Sequence, residues 1–223
     1  MNSGKLILAG TDLGNRLDMP ARSLQALRGG DLLIFEGSRA ARAFLKVAGI
    51  HRDFLCYSEH EEKEALAAVN TTLREGKTVV YMSDQGMPNV ADPGRVLLRM
   101  AYQLGAQVRI IPGPSSVTAA LAACPFNTEP FYYAGFLPRD TAARRKALLK
   151  LQKHPVLVLL DTPYRLRPVL EDALAVFGPK PSLLALDISG PHERFIFAPL
   201  PKQKAPEEKL NFVLVVALNP TSA

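Results

Sequence analysis

The 223-residue chain has no tryptophan and only two cysteines, Cys56 and Cys124. Two cysteines in unrelated contexts make neither a disulfide framework nor a zinc spacing, and they fit a reducing compartment. The four histidines, His51, His60, His154 and His192, stand singly. A metal would want a second histidine at helical spacing, so no metal is expected. No Ser-His-Asp or Cys-His set assembles from local sequence either. No apolar run approaches the ~18 residues of a membrane span. Met1 to Lys5 runs straight into a short apolar segment, without the long apolar core of a signal peptide, so the expected location is the cytoplasm. Gly10-Thr11-Asp12-Leu13-Gly14-Asn15 lacks the third glycine of a dinucleotide fingerprint, and there is no Walker loop.

Apolar residues make up 48% and charged residues 22%, ordinary values for a globular chain that can bury a core. Lysine and arginine exceed aspartate and glutamate by 27 to 21, a net charge of +6. That balance permits an anionic partner such as RNA, and it equally suits many basic proteins that bind none.

Short apolar runs alternate with amphipathic stretches. Leu6–Ala9, Asp31–Glu36, Thr78–Met82 and Val108–Ile111 read as buried parallel strands. Pro20–Leu27, Ala40–Val47, Glu61–Leu73 and Gly94–Leu104 read as helices, the last with Val96, Leu97, Met100, Ala101 and Leu104 on one face. This alternation predicts an α/β fold with a mostly parallel sheet over residues 1–112. After the turn Pro112-Gly113-Pro114-Ser115 the pattern loosens. Phe131–Ala134 and Val156–Leu160 are strand-like, with a basic helix, Arg144–Leu151, between them. Ser182–Asp187, Arg194–Ala198 and Asn211–Leu218 then follow with few helices, which predicts a second domain, 113–223, built on a mixed sheet. Pro199–Glu208 reads as an exposed turn.

The stretch from Ser83 to Gly94, Ser-Asp-Gln-Gly-Met-Pro-Asn-Val-Ala-Asp-Pro-Gly, follows a strand and precedes a helix. Open α/β sheets bind ligands in such loops. Its glycines let backbone approach a ligand, and Asp84 and Asp92 can accept hydrogen bonds from hydroxyls or an amine. It can also be read as a well-turned loop in which Asp92 caps the next helix. Gly135-Phe136-Leu137-Pro138-Arg139 leads into the basic helix, which could contact phosphates or could be a solvated face.

Together these motifs resemble the tetrapyrrole methylase superfamily, and within it the small-subunit (16S) ribosomal RNA ribose 2′-O-methyltransferases that act on a cytidine. The family's Thr-Pro-Ile-Gly-Asn-Leu-x-Asp is met by Thr11 to Asp18, and its Glu-Asp-Thr-Arg by Glu36-Gly37-Ser38-Arg39. Tyr57, Glu59, His60, Glu62 and Glu64 match a further stretch. Ser83 to Gly94 matches Ser-Asp-Ala-Gly-Thr-Pro-x-Ile-Ser-Asp-Pro-Gly, and Pro112 to Ser115 matches Pro-Gly-Pro-Ser. Gly135 to Arg139 with Arg144 to Lys146 matches Gly-Phe-Leu-Pro-Arg followed by Arg-Arg-Lys. The chain departs at Asp12 for proline, Gly37 for aspartate and Met87 for threonine. It departs again at Asp187-Ile188-Ser189-Gly190, where the family has Glu-Leu-Thr-Lys.

The resemblance implies two α/β domains with S-adenosylmethionine in the cleft between them. It implies cofactor contacts at Asp84, Gly86, Asn89, Val90, Asp92, Ser115 and Ser116, with the adenine near Leu160, Asp161 and Ala185. Asp12, Glu36 and His60 are the candidates for handling the proton of a ribose hydroxyl. Arg139, Arg144, Arg145 and Lys146 are the candidate RNA contacts, with Leu148, Leu149 and Leu151 turned to the core. A homodimer is implied, with ribosomal RNA or the small ribosomal subunit as partner. Two other readings stay open: a small-molecule, tetrapyrrole-like methyltransferase, and a cofactor-binding homologue without catalysis.

Overall fold

The computed structural model describes residues 3–57 and 62–219. The chain divides into two compact units, residues 1–115 and 116–223. The turn at Pro112–Ser115 stays with the first: the Gly113 amide donates to the Met87 sulfur at 3.1 Å.

In the first unit, strands β1 (Lys5–Ala9), β2 (Leu32–Phe35), β3 (Leu55–Cys56), β4 (Thr78–Met82) and β5 (Gln107–Ile111) form one sheet in the order β3-β2-β4-β1-β5. Every pairing is parallel. Helices α1 (Ala21–Gly29), α2 (Ser38–Ala48), α3 (Glu62–Arg74) and α4 (Arg95–Gln103) connect the strands. Two apolar layers result. Leu6, Leu8, Val79 and Tyr81 pack with Val69, Leu97 and Ala101 of α3 and α4. Ala9, Val80 and Met82 turn the other way, against Leu27, Ala41 and Phe44 of α1 and α2. Covering both faces is why β4 is an almost unbroken apolar run.

Two expectations need correcting here. β5 is an edge strand rather than a buried one, with Ile110 49% exposed, because β1 is its one neighbour. On α4, Leu97 and Ala101 are buried, whereas Val96 lies 100° away from Leu97 and is exposed.

The second unit holds β6 (Phe131–Gly135), β7 (Val156–Asp161), β8 (Pro181–Leu186), β9 (Arg194–Pro199) and β10 (Phe212–Ala217), in the order β6-β7-β10-β8-β9. Only β6 and β7 run parallel; the other pairings are antiparallel. Its helices are α5 (Ser116–Ala122), α6 (Thr141–Leu151) and α7 (Leu166–Phe177). Leu157, Leu159, Leu184, Phe212 and Leu214 form the sheet face that packs on Leu148 of α6 and Val169, Leu170 and Ala173 of α7.

Helix α7 was not anticipated from sequence because Pro168 interrupts it. Pro168 is its third residue, where the backbone N–H has no helical partner to lose. The segment expected to be an exposed turn, 199–208, instead tucks Leu200 and Gln203 inside. The Gln203 amide donates to the carbonyls of Ser182, Ile196 and Ala198 at 3.0–3.3 Å, so the segment is pinned to the β8–β9 pair.

One buried ion pair ties α6 to α7. Asp172 Oδ2 accepts from Arg144 at 2.6 Å, and Oδ1 from Arg145 at 2.6 Å. Arg144 and Asp172 side chains are each 3% exposed. Arg144 also donates to the carbonyl of Arg139 at 2.8 Å, so the pair holds the loop ahead of α6 as well. Removing the acid strands a cation in the core, which costs about 3–5 kcal/mol. Asp172→Ala should therefore lose about that much stability in urea unfolding. A loss below about 1 kcal/mol would show that water reaches Arg144 and that the pair is peripheral.

Candidate functional site

Because β1, β2, β4 and β5 are parallel, their carboxyl ends share one edge of the first sheet. The loops that leave them, 10–15, 36–37, 83–94 and 112–115, therefore meet. The contacts are made largely by backbone. The Thr11 amide donates to the Gly86 carbonyl at 2.8 Å, and the Gly86 amide donates to the Asp12 carbonyl at 3.0 Å. Gly86 has φ +72°, a conformation that costs a side-chain-bearing residue about 1–2 kcal/mol. Gly10 and Gly113 approach so closely that a methyl on Gly10 would lie 2.7 Å from Gly113 backbone and 2.9 Å from the Met87 sulfur. Met87, a departure from the family's threonine, thus has its place in that contact.

A second clasp joins loops 36–37 and 83–94. The Gly37 amide donates to Asp84 Oδ1 at 3.0 Å, and the Asp84 amide donates to Glu36 Oε2 at 3.1 Å. A Cβ on Gly37 would stand 2.9 Å from the Asp84 carboxylate, so glycine there lets the acid come in. Asn89 and Ala91 both have positive φ, 68° and 65°. Asparagine tolerates that region; alanine is strained there. The Tyr81 hydroxyl donates to the Pro93 carbonyl at 2.9 Å and fixes the far end of the loop.

The electrostatics follow from this crowding of acids. Burial raises the Glu36 pKa above the ordinary carboxylate value; the hydrogen bond from the Asp84 amide opposes the rise, and the Asp84 charge adds a smaller push upward. Asp92 is pushed up to about 7, first by burial, then by Glu36 and, more weakly, Asp84, against a hydrogen bond from Ser83. Asp92 does not cap α4, whose N-cap is Gly94 without a side-chain bond.

The expected residues that are described fall in several places. Asp84, Gly86, Asn89, Val90 and Asp92 lie together in loop 83–94. Val90 is 47% exposed, and Glu36 stands beside them. Ser115 ends the last of the four loops, and Ser116 opens α5 in the second unit. Asp12 is 1% exposed and spent on its own loop: its carboxylate accepts from the Gly14 amide at 2.9 Å and pairs with Arg16. That pairing removes it as a free proton acceptor. It also explains how aspartate can stand where the family has proline, since both fix the turn. His60 lies outside the described residues.

In the second unit, Leu160 and Ala185 are joined across β10 through Val213 and share one sheet face. Ala185 has none of its surface exposed, so its side chain offers nothing to a ligand. Asp161 follows Leu160 in the strand and therefore points to the opposite face, the one packed on α6 and α7. It does not belong with Leu160 and Ala185.

Of the expected RNA contacts, Arg144 is the correction: it is buried against Asp172 and cannot meet a phosphate. Arg145 is half-exposed but paired with the same acid. Arg139 and Lys146 are exposed. Leu149, expected in the core, is 55% exposed, because the buried line of α6 runs through Arg144 and Leu148. Sequence reasoning gave the basic residues one role; Asp172, their partner, lies in the helix it missed.

Among the described residues no group of three or more His, Cys, Asp or Glu side chains could hold a metal ion. Nor is any helix there long and apolar enough to cross a membrane.

A parallel sheet whose loops cluster at its carboxyl edge, followed by a mixed-sheet unit, belongs to the class of α/β folds in which ligands generally bind at that edge. The chain belongs to the tetrapyrrole (corrin/porphyrin) methylases, whose family profile matches residues 5–203. It is 35% identical over 192 residues to ribosomal RNA small subunit methyltransferase I of Thermotoga maritima, covering 86% of each chain. It is 33% identical over 178 residues to the Escherichia coli O157:H7 protein of the same name, covering 79% of this chain and 62% of that one. The fold matches uroporphyrin-III C-methyl transferase from Thermus thermophilus complexed with S-adenyl homocysteine. That match has a TM-score of 0.66 and 17% identity, over 96% of this chain and 97% of that one.

The raised Asp92 pKa makes a prediction with a definite sign. The folded protein favours the protonated acid, so the stability this confers is present below the ordinary value of 3.8 and is lost as pH rises to about 7. Asp92→Asn should be as stable as the parent near pH 4 and more stable at pH 8. Equal stability of the two proteins at both pH values would mean that Asp92 is solvated and titrates normally.

Proposed function

We propose that this chain is an S-adenosylmethionine-dependent methyltransferase that methylates a ribose 2′-hydroxyl of small-subunit ribosomal RNA in the cytoplasm. The observation that carries the reading is the four-loop cluster at the carboxyl edge of the first sheet. It is supported by sequence similarity over most of the chain to the Thermotoga maritima methyltransferase, 86% of whose length the chain spans.

The residues fit the cofactor. Gly10, Gly86 and Gly113 let the loops close on one another, and glycine leaves backbone open to a ligand. Asp84 and Glu36 present acceptor oxygens suited to ribose hydroxyls or an ammonium group. Their negative potential, shared with Asp92, also suits a sulfonium cation. In the second unit, half-buried Leu160 offers an apolar contact for the adenine. When bound, the cofactor supplies a methyl already activated by the sulfonium, so no metal is required.

The chain's own part is to position, to exclude water and to handle one proton. Of the expected proton acceptors, Glu36 is the described one left free of a cation, and Asp92 beside it is tuned near neutrality, where acid–base groups work best. Exposed Arg139 and Lys146 supply phosphate contacts, and Arg145 adds positive potential. A two-fold homodimer completes the reading.

The test is transfer of labelled methyl from S-adenosylmethionine to small ribosomal subunits. The parent should label a ribose. Arg139→Glu with Lys146→Glu should raise KM for subunits roughly tenfold and flatten its salt dependence, leaving cofactor affinity intact. Sedimentation of the parent should give a dimer. Cofactor binding without any labelling of RNA would move the assignment to a small-molecule methyltransferase or a non-catalytic homologue.

A further inference from the structure

The second unit has a pocket of about 730 Å3 lined by Phe136, Leu137, Pro138, Arg139, Asp161, Thr162, Tyr164 and Arg165. That volume is in the range of small-molecule sites. Two arginines stiffen its rim. Arg165 donates to the carbonyls of Leu137 and Pro138 at 2.8 and 2.6 Å, and Arg144 donates to that of Arg139 at 2.8 Å. The loop that carries Phe136 is therefore set before any ligand arrives.

The chemistry of the lining is unusual for a structural crevice. Asp161 has a side chain only 2% exposed. Its Oδ1 accepts from the Thr162 amide at 2.7 Å and meets Arg165 at 3.2 Å. Its Oδ2 is buried and has no hydrogen-bond partner among the described residues. A buried acceptor left open is costly and calls for an explanation. Around it, Phe136 is 50% exposed and Tyr164 73% exposed, large aromatic faces that solvent would not select. Arg139 is exposed at the rim, and the Lys209 ammonium stands 4.3 Å from the Tyr164 ring centroid. Aromatic faces, one open carboxylate oxygen and two cations are the components that read an unstacked base in single-stranded RNA.

We propose that this pocket holds one nucleobase of single-stranded RNA, carrying an exocyclic amine, stacked on Tyr164 or Phe136 and donating that amine to Asp161. A carboxylate accepts and does not donate, so the amines of cytosine and adenine are matched and the O4 carbonyl of uracil is repelled. Presenting Oδ2 to the base requires a rotation of the carboxyl group about its last torsion, which is soft. Arg139 and Lys209 take the flanking phosphates. The inference rests on the RNA-methylating reading and extends it, since it says how the RNA is held in the second unit.

The test pairs binding with turnover. Short single-stranded cytidine, adenosine and uridine homopolymers are titrated against the full chain by fluorescence anisotropy, and methyl transfer to small subunits is followed alongside. The parent should prefer the cytidine or adenosine strand to the uridine strand by roughly tenfold. Asp161→Asn, whose amide can donate to O4, should erase that preference. Tyr164→Ala, at an exposed position, should weaken every strand roughly tenfold and raise KM for subunits. Cofactor affinity should not change in either variant. A parent that binds all three strands equally, or variants that bind and turn over like the parent, would overturn the pocket while leaving the methyltransferase reading standing. A parent that shows the base preference yet labels no RNA keeps the pocket and removes the reading.

Discussion

Everything at the carboxyl edge of the first sheet hangs on backbone amides that are satisfied by neighbouring loops. Gly86 gives its N–H to loop 10–15 and receives one back. Loops 36–37 and 83–94 are tied in a similar way, the Asp84 amide donating to the Glu36 carboxylate and the Gly37 amide to the Asp84 carboxylate. Irregular loops have no ladder of their own, so each such bond replaces water that would otherwise hold the chain open. The requirement for close approach then fixes residue types. Glycine is needed at 10, 86 and 113, where a Cβ would meet backbone or require a strained φ. Glycine at 37 serves the same end, because it leaves room for the Asp84 carboxylate.

The same crowding sets the electrostatics. Three acids are brought together by loops that cannot separate without breaking those bonds. Burial and mutual repulsion then raise two of them, Asp92 to about 7. Such a cluster of acids carries negative potential. It suits a ligand that brings its own cation, which is what a sulfonium does. The second unit uses the opposite device: a buried acid, Asp172, is fully paired by Arg144 and Arg145, and the pair spends its charge on holding a loop. A sequence that reads as one basic helix thus contains a core cation, a shared cation and free lysines.

Much of the fold was legible. Continuous apolar runs bounded by turns mark β1, β2 and β4 because parallel strands are covered on both faces. The late, helix-poor strands mark the mixed sheet. What escaped has physical causes. Helix α7 is masked by Pro168, which is harmless only in a first turn. Edge strand β5 looks like an interior strand because its apolar residues do not reveal how many neighbours they have. Loop 83–94 was identified by its pattern, but its clasp to Glu36 and Gly37 spans nearly fifty positions in sequence, which no local pattern shows. The split between Leu160 and Asp161 needed only the alternation of a strand, yet the face each took depended on helices read later.

The central claim is that the four loops of the first unit are one ligand site. Amide hydrogen exchange with and without S-adenosylhomocysteine measures this directly, because a bound ligand slows opening of the backbone it touches. Slowed exchange concentrated in loops 10–15, 36–37, 83–94 and 112–115 is the predicted result. Binding of the compound with those loops unchanged, or with slowing confined to other segments, would contradict it.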